Sequence, residues 1–108
     1  MVTKKINSDI VKLVKSYSLI AKKKYPIDQV IIFGSHSKGT SHAWSDIDVC
    51  LVSSKFGNNF FKEKSQLRYL TIPVSTKIEP TPMHPDMLKS KYNTLASEIR
   101  KYGIEIKI

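Results

Sequence analysis

The sequence predicts a mixed α/β domain in which a small β-sheet is backed by helices. Three observations support this class: the stretch from Ser8 to Lys24 has helical periodicity, two short β-branched runs follow it, and strand-like and helix-like patterns then alternate to the end. At 108 residues the chain is expected to form one domain spanning residues 1–108.

The first helix is predicted by apolar residues that recur three or four positions apart. Asn7 or Ser8 is a suitable N-cap, and Pro26 ends the helix because proline lacks the N–H group that the helical ladder needs. The inward-facing residues are predicted to be Ile10, Leu13, Val14, Tyr17, Ile20 and Ala21.

The next two apolar runs predict two strands. Residues 29–33 (QVIIF) are mostly β-branched or aromatic and precede Gly34, which predicts a short buried strand. Residues 46–52 (DIDVCLV) alternate in polarity and predict the second strand, and a polar loop connects the two.

The second half of the chain predicts a helix, a strand and a further helical region. Residues 58–70 are predicted to be helical, and residues 73–80 to form a third strand bounded by prolines. Residues 84–103 predict a helix, in one or two pieces, that stops at Gly103, and residues 104–108 predict an edge strand. The inward residues of the first of these helices are predicted to be Phe60, Phe61, Leu67 and Leu70.

The charge balance predicts an anionic substrate or partner. Lys and Arg number 18 against 9 for Asp and Glu, and a net charge of +9 suits a nucleotide, a nucleic acid or an acidic protein. Cys50 is the single cysteine, which excludes an intrachain disulfide and fits a reducing compartment. No stretch resembles a signal peptide or a membrane span, so a cytoplasmic protein without a membrane association is expected.

Two carboxylates stand at the start of the second predicted strand. Side chains two positions apart on a strand face the same way, so Asp46 and Asp48 project together. The residues predicted to face the core instead are Ile47, Val49 and Leu51. Paired carboxylates repel unless a cation or strong hydrogen-bond donors neutralise them, or one of them binds a proton. Because Mg²⁺ prefers oxygen ligands and completes its shell with water and phosphate, the pair predicts a magnesium site.

Gly34 and Ser35 predict a place for phosphate beside these carboxylates. Glycine allows the backbone to approach a ligand closely, a helical turn after it would present N–H groups, and the serine hydroxyl is a further donor. Lys38, three residues later, adds a positive charge.

The stretch from Gly34 to Asp48 fits the pattern G-S-x3-G-x5-S-D-x-D at every fixed position. With this pattern the sequence resembles the minimal nucleotidyltransferases of the DNA polymerase beta superfamily, over nearly its whole length. The fixed positions are Gly34, Ser35, Gly39, Ser45, Asp46 and Asp48. The resemblance implies a polymerase-beta-like nucleotidyltransferase fold and transfer of a nucleoside monophosphate, AMP in the first instance, from a nucleoside triphosphate such as ATP to an acceptor hydroxyl.

The resemblance also implies roles for the site residues. Asp46 and Asp48 are implied to bind two Mg²⁺ ions, for which Mn²⁺ is an alternative, together with a third carboxylate that helps to deprotonate the acceptor. The residues implied to bind the substrate are Gly34, Ser35, Lys38, Gly39 and Ser45.

Glu79 is the candidate for the third carboxylate, as metal ligand and catalytic residue. It is the acidic residue of the predicted third strand, at a place where the family more usually has aspartate. An exposed strand end is the alternative for Glu79. Asp86 is the nearest rival, although a carboxylate just after His84 and Pro85 can equally stabilise a helix N-terminus.

Single-domain members of this superfamily resemble the antitoxin partners of HEPN toxins, which implies a tyrosine of a partner protein as the acceptor. One domain of this size leaves the acceptor surface to a partner chain or to self-association as a homo-oligomer. The alternative function is a non-catalytic antitoxin or a basic nucleic-acid-binding module that retains the fold, which the charge of +9 leaves open. The base, the acceptor and the oligomeric state do not follow from the sequence.

Overall fold

The computed structural model describes residues 6–42 and 44–108. Within this part of the chain four strands form one mixed sheet. The strands are β1 (Gln29–Phe33), β2 (Ile47–Val52), β3 (Ile78–Met83) and β4 (Ile104–Ile106). Their order across the sheet is β3-β2-β1-β4, with β1 antiparallel to both β2 and β4, and β2 parallel to β3. The predicted α/β class is confirmed.

The described residues also form five helices. They are α1 (Ser8–Lys24), α2 (Ser35–Lys38), α3 (Phe60–Tyr69), α4 (Pro85–Lys89) and α5 (Thr94–Tyr102). The side chain of Asn7 caps α1 by accepting a hydrogen bond from the N–H of Asp9, and Tyr25 ends the helix in an extended conformation, as expected before a proline. In the described residues, no helix combines the length and the apolar character that crossing a membrane requires.

Apolar side chains pack on both faces of the sheet. On β2 the alternation is complete: Ile47, Val49 and Leu51 are buried with residues of α1 and α3, whereas Cys50 and Val52 are buried with residues of α5. The predicted inward set of this strand is therefore confirmed. Burial raises the pKa of the Cys50 thiol to about 12, which suits a packing role.

The first turn of α3 differs from the prediction. Phe60 and Phe61 are 46% and 82% exposed, so the expectation that both face inward is wrong. The inward stripe runs instead through Glu63, Leu67 and Leu70, which are spaced by four and three residues. Glu63 takes the inward position of the first turn because its carboxylate accepts hydrogen bonds from backbone N–H groups that precede the helix.

The third strand also lies further along the chain than predicted. Residues 73–77 form turns, and β3 runs from Ile78 through Pro80 and Pro82 to Met83. Prolines are tolerated here because β3 is an edge strand whose odd-numbered residues face β2. The carbonyls of Lys77 and Met83 accept hydrogen bonds from Ile47 and Ser53, at 2.9 and 3.1 Å, so the proline nitrogens point away from the sheet.

The C-terminal elements agree with the sequence. The helical region is in two pieces, α4 and α5, and Gly103 caps the second piece by donating its N–H to the carbonyl of Ile99. β4 follows directly and pairs with β1 at the other edge of the sheet, with Ile106 buried and Glu105 exposed.

Candidate active site

Gly34 joins β1 to α2 and touches one of the predicted metal ligands. Its φ of 73° is in the left-handed region, which glycine adopts without the steric penalty of a side chain. A Cβ atom at this position would lie 2.2 Å from Oδ2 of Asp48. The glycine therefore both makes the turn and leaves room for the Asp48 carboxylate against the backbone.

The residues after Gly34 form a single helical turn, as the phosphate-binding interpretation requires. The Gly34 carbonyl accepts hydrogen bonds from the N–H groups of Ser37 and Lys38 and from the Ser37 hydroxyl. Ser35 is the first residue of α2, where N–H groups have no acceptor within the helix and can face a ligand. Gly39 ends the turn with a φ of 76° and donates its N–H to the Ser35 carbonyl, so its local role is to close α2.

The strand pairing places two of the carboxylates side by side. Asp48 is the register partner of Glu79 across the parallel pair of β2 and β3. Asp46 is exposed and directly precedes β2. Burial raises the pKa of Asp48, and repulsion from the Asp46 and Glu79 carboxylates raises it further, whereas His36 and Lys64 act in the opposite direction. Asp46 and Glu79 are therefore close enough to Asp48 to disfavour its ionised form.

Glu79 is held by two cations of α3. Lys64 Nζ lies 3.2 Å from one carboxylate oxygen, and Arg68 donates a hydrogen bond to the other. Burial alone would raise the pKa of Glu79, but the hydrogen bonds from Lys64 and Arg68 outweigh it and hold this pKa below its ordinary value. Glu79 is therefore held ionised and oriented by these two side chains.

Two of the predicted substrate-binding residues have partners within the protein. Lys38 donates to the Glu98 carboxylate, and its ammonium lies 5.1 Å from the centre of the Tyr102 ring. The hydrogen bond to Glu98 raises the pKa of Lys38. Ser45 closes a turn with His42, since its hydroxyl accepts the His42 N–H and its own N–H donates to the His42 carbonyl.

A cleft lined mainly by polar residues opens among the chain neighbours of the carboxylates. Its volume is about 380 Å³, and it is lined by the start of α1, the loop after α2 and Lys77. Ser45 lines the cleft next to Asp46 in the chain, and Lys77 lines it two residues before Glu79. His36 lines it too and is half-buried, with its Nε2 atom buried and without a hydrogen-bond partner in the structure. The residues that line the cleft are thus chain neighbours of Asp46 and Glu79, but none of the three carboxylates is among them.

Asp86 lies at the opposite end of β3 from Asp48 and Glu79. It belongs to the first turn of α4, its side chain is 87% exposed, and its N–H donates to Nδ1 of His84. This position matches the helix-terminus interpretation of Asp86. A second cavity of about 240 Å³ lies at that end, lined largely by apolar residues such as Met83, Met87 and Leu95.

The sequence did not single out Lys64 and Arg68. Their spacing of four residues places both on one side of α3, and this spacing was the available signal. It was weak, because the chain has 18 Lys and Arg and most predicted helices carry several of them.

The three carboxylates fit Mg²⁺ by donor chemistry, but they are not arranged as a finished centre. Carboxylate oxygens are the ligands that Mg²⁺ prefers, and the contact with Gly34 orients one of them. Among residues 6–42 and 44–108, however, no three His, Cys, Asp or Glu side chains are grouped closely enough to hold an ion. Since the Glu79 oxygens face Lys64 and Arg68, a three-ligand centre requires Glu79 to exchange partners.

Comparison with known proteins assigns the family. Residues 14–103 match the model of the nucleotidyltransferase domain family. The chain belongs to this family. The resemblance seen in the pattern from Gly34 to Asp48 is thereby confirmed, and the chain is a nucleotidyltransferase. Comparison with curated protein sequences gives no match.

Solved structures share the fold of this nucleotidyltransferase. A candidate nucleotidyltransferase from Sulfolobus solfataricus is 20% identical, with a TM-score of 0.63 and coverage of 90% of this chain and 78% of that chain. A toxin–antitoxin complex with AMP-PNP is 18% identical, with a TM-score of 0.57 and coverage of 86% and 72%. A mutant of the toxin–antitoxin pair MntA-HpeT is 14% identical, with a TM-score of 0.56 and coverage of 86% and 70%.

Proposed function

We propose that the protein transfers AMP from ATP to a hydroxyl group of a partner protein, with Asp46, Asp48 and Glu79 as the ligands of two Mg²⁺ ions. The observation that carries this proposal is the contact between Gly34 and Asp48, beside Glu79. This contact places the turn that can bind phosphate next to the carboxylates that can bind metal.

In the proposed reaction the acceptor oxygen attacks the α-phosphorus of ATP, and the bond from that phosphorus to the leaving pyrophosphate breaks. Bound divalent ions would neutralise charge on the phosphates and lower the pKa of the acceptor hydroxyl. Gly34 and Ser35 present N–H and hydroxyl groups to the phosphates. Glu79 receives the acceptor proton, directly or through water.

The partner and the nucleotide are supported by the fold neighbours. One of the related structures is a toxin–antitoxin complex with AMP-PNP, which favours an adenine nucleotide and a protein partner for this chain also. We propose a HEPN-type toxin as that partner, acting in the cytoplasm. The cleft lined by His36, Ser45 and Lys77 is the proposed nucleotide site.

Calorimetry with ATP tests the metal requirement. ATP is expected to bind in the presence of Mg²⁺ or Mn²⁺ and not in EDTA. The reason is that the carboxylates of Asp46, Asp48 and Glu79 repel a triphosphate until a divalent cation is bound. Asp46→Asn and Asp48→Asn should each abolish this binding, together with transfer of label from α-labelled ATP to protein in a cell lysate. Both variants should melt at or slightly above the parental temperature, because the substitution removes repulsion between carboxylates. Equal ATP binding in EDTA would contradict the proposal.

A further inference from the structure

Lys64 and Arg68 form a basic pair on α3 that contacts Glu79, one of the proposed metal ligands. The two side chains lie four residues apart on one side of the helix and approach Glu79 from there, one cation for each carboxylate oxygen. Lys64 is also held over the Phe60 ring, with its ammonium 5.9 Å from the ring centre. The pair is therefore directed at the third of the proposed metal ligands.

The net charge of the site limits how strongly the carboxylates can bind divalent ions in the absence of the triphosphate. Asp46 and Glu79 repel Asp48, and Lys64 and Arg68 offset part of this negative charge through their ion pairs with Glu79. A metal–triphosphate complex brings its own negative charge, and it would supply phosphate oxygens as new acceptors for the ammonium and guanidinium groups.

We propose that Lys64 and Arg68 exchange partners during substrate binding. They pair with Glu79 as the structure shows, and they bind phosphate oxygens of the triphosphate once Glu79 binds a divalent ion. This proposal rests on the proposed function. It assigns Lys64 and Arg68 as substrate-binding residues of the same site.

The proposal predicts that loss of either side chain affects metal affinity and nucleotide affinity differently. Neither a surface ion pair nor a contact that only orients Glu79 predicts this combination. In the free protein Lys64 and Arg68 compete with a metal ion for Glu79, so removing either should leave the affinity for metal alone unchanged or increased. In the complex the same side chains bind phosphate, so removing either should weaken nucleotide binding. An exposed ion pair without a functional role contributes little and should affect neither. A contact that serves only to orient Glu79 should weaken metal binding when it is lost.

The experiment measures two affinities for each variant. Mn²⁺ alone is titrated by the loss of its free electron paramagnetic resonance signal, and α,β-methylene-ATP is titrated by calorimetry at saturating Mn²⁺. Arg68→Ala and Lys64→Ala should each bind Mn²⁺ at least as tightly as the parent and bind the analogue at least tenfold more weakly. Arg68→Lys should retain part of the analogue affinity, because it keeps the charge and loses the fork geometry.

Lys62→Ala is the matched control, since it removes the same charge from an exposed position of the same helix on another side. It should change both affinities by less than about twofold. Weaker Mn²⁺ binding by Arg68→Ala, or unchanged analogue binding, would overturn the exchange of partners and leave the proposed function intact. A parent protein that binds no analogue at all would overturn both. Melting curves confirm that each variant is folded.

Discussion

At the scale of single residues, the site depends on Gly34 having no side chain. Asp48 has its carboxylate against the Cα atom of Gly34, and the glycine also has a left-handed backbone that other residues adopt at a cost. Space and conformation thus select glycine for two independent reasons. Gly39 offers a comparison, because its φ is nearly the same and nothing lies within 4 Å of the place where its Cβ would be.

Gly34→Ala is expected to lower the free energy of unfolding by about 1–2 kcal/mol through its backbone conformation, and to force the Asp48 carboxylate to rotate away. Since Asp48 is a proposed metal ligand, binding of Mg²⁺ and ATP should be lost. Gly39→Ala should show a similar loss of stability and a much smaller change in binding. Urea unfolding and calorimetry measure the two effects. If both variants bound ATP equally well, contact with Gly34 would not matter for the position of Asp48.

At the scale of elements, the sequence predicted most helices and strands because their signals are local. Caps, prolines and periodicity determine where α1 and β1 lie, and the predicted residues coincide with the observed ones. The first turn of α3 and the start of β3 depended on tertiary contacts. A buried glutamate took the place expected for a phenylalanine, and edge position allowed prolines within a strand.

In the candidate site too, the features that could be predicted are those that depend on residues close together in the sequence. Gly34, Ser35, Asp46 and Asp48 lie within fifteen residues of sequence, so their spacing alone indicated a site. The pairing of Asp48 with Glu79 needs the register of β2 and β3, which the sequence does not encode locally. The ion pairs of Glu79 need the packing of α3 against β3, and they escaped prediction for that reason.

Glu63 is expected to be the residue that fixes the start of α3. Its carboxylate accepts N–H groups of Gly57, Asn58 and Asn59 at 3.0, 3.2 and 3.3 Å, and it is 9% exposed. Glu63→Ala should therefore lower the free energy of unfolding by about 1–3 kcal/mol, because part-buried hydrogen bonds to a charged acceptor are lost. Glu63→Gln, which keeps one acceptor oxygen, should lose less.

Urea unfolding of the Glu63 variants provides the measurement, with Lys62→Ala as an exposed control expected to stay within about 0.5 kcal/mol of the parent. Analogue binding by folded Glu63→Ala should also weaken, because α3 carries Lys64 and Arg68. A Glu63→Ala protein as stable as the parent would show that Asn59, whose side chain also caps α3, is sufficient by itself.

At the scale of the whole molecule, the net charge of +9 is the feature that the proposed reaction does not fully use. A basic surface binds nucleic acid through phosphate contacts whose affinity falls steeply with salt. Binding of a labelled single-stranded RNA is expected to weaken at least tenfold between about 50 and about 200 mM salt, and to be the same for Asp46→Asn and the parent. Fluorescence anisotropy measures this. Tight, salt-resistant binding of one RNA sequence would instead favour the nucleic-acid-binding function.

Pro80 and Pro82 have a consequence for how this molecule can associate. Sheets of separate chains join when an exposed edge offers a row of N–H donors, and this is also the first step of many aggregation pathways. Along β3 the outward N–H positions at residues 80 and 82 are occupied by proline nitrogens, and β4 at the opposite edge is only three residues long. Neither edge is suited to continue into another sheet. We therefore expect the proposed protein acceptor to bind through helices and loops and not by extending the sheet.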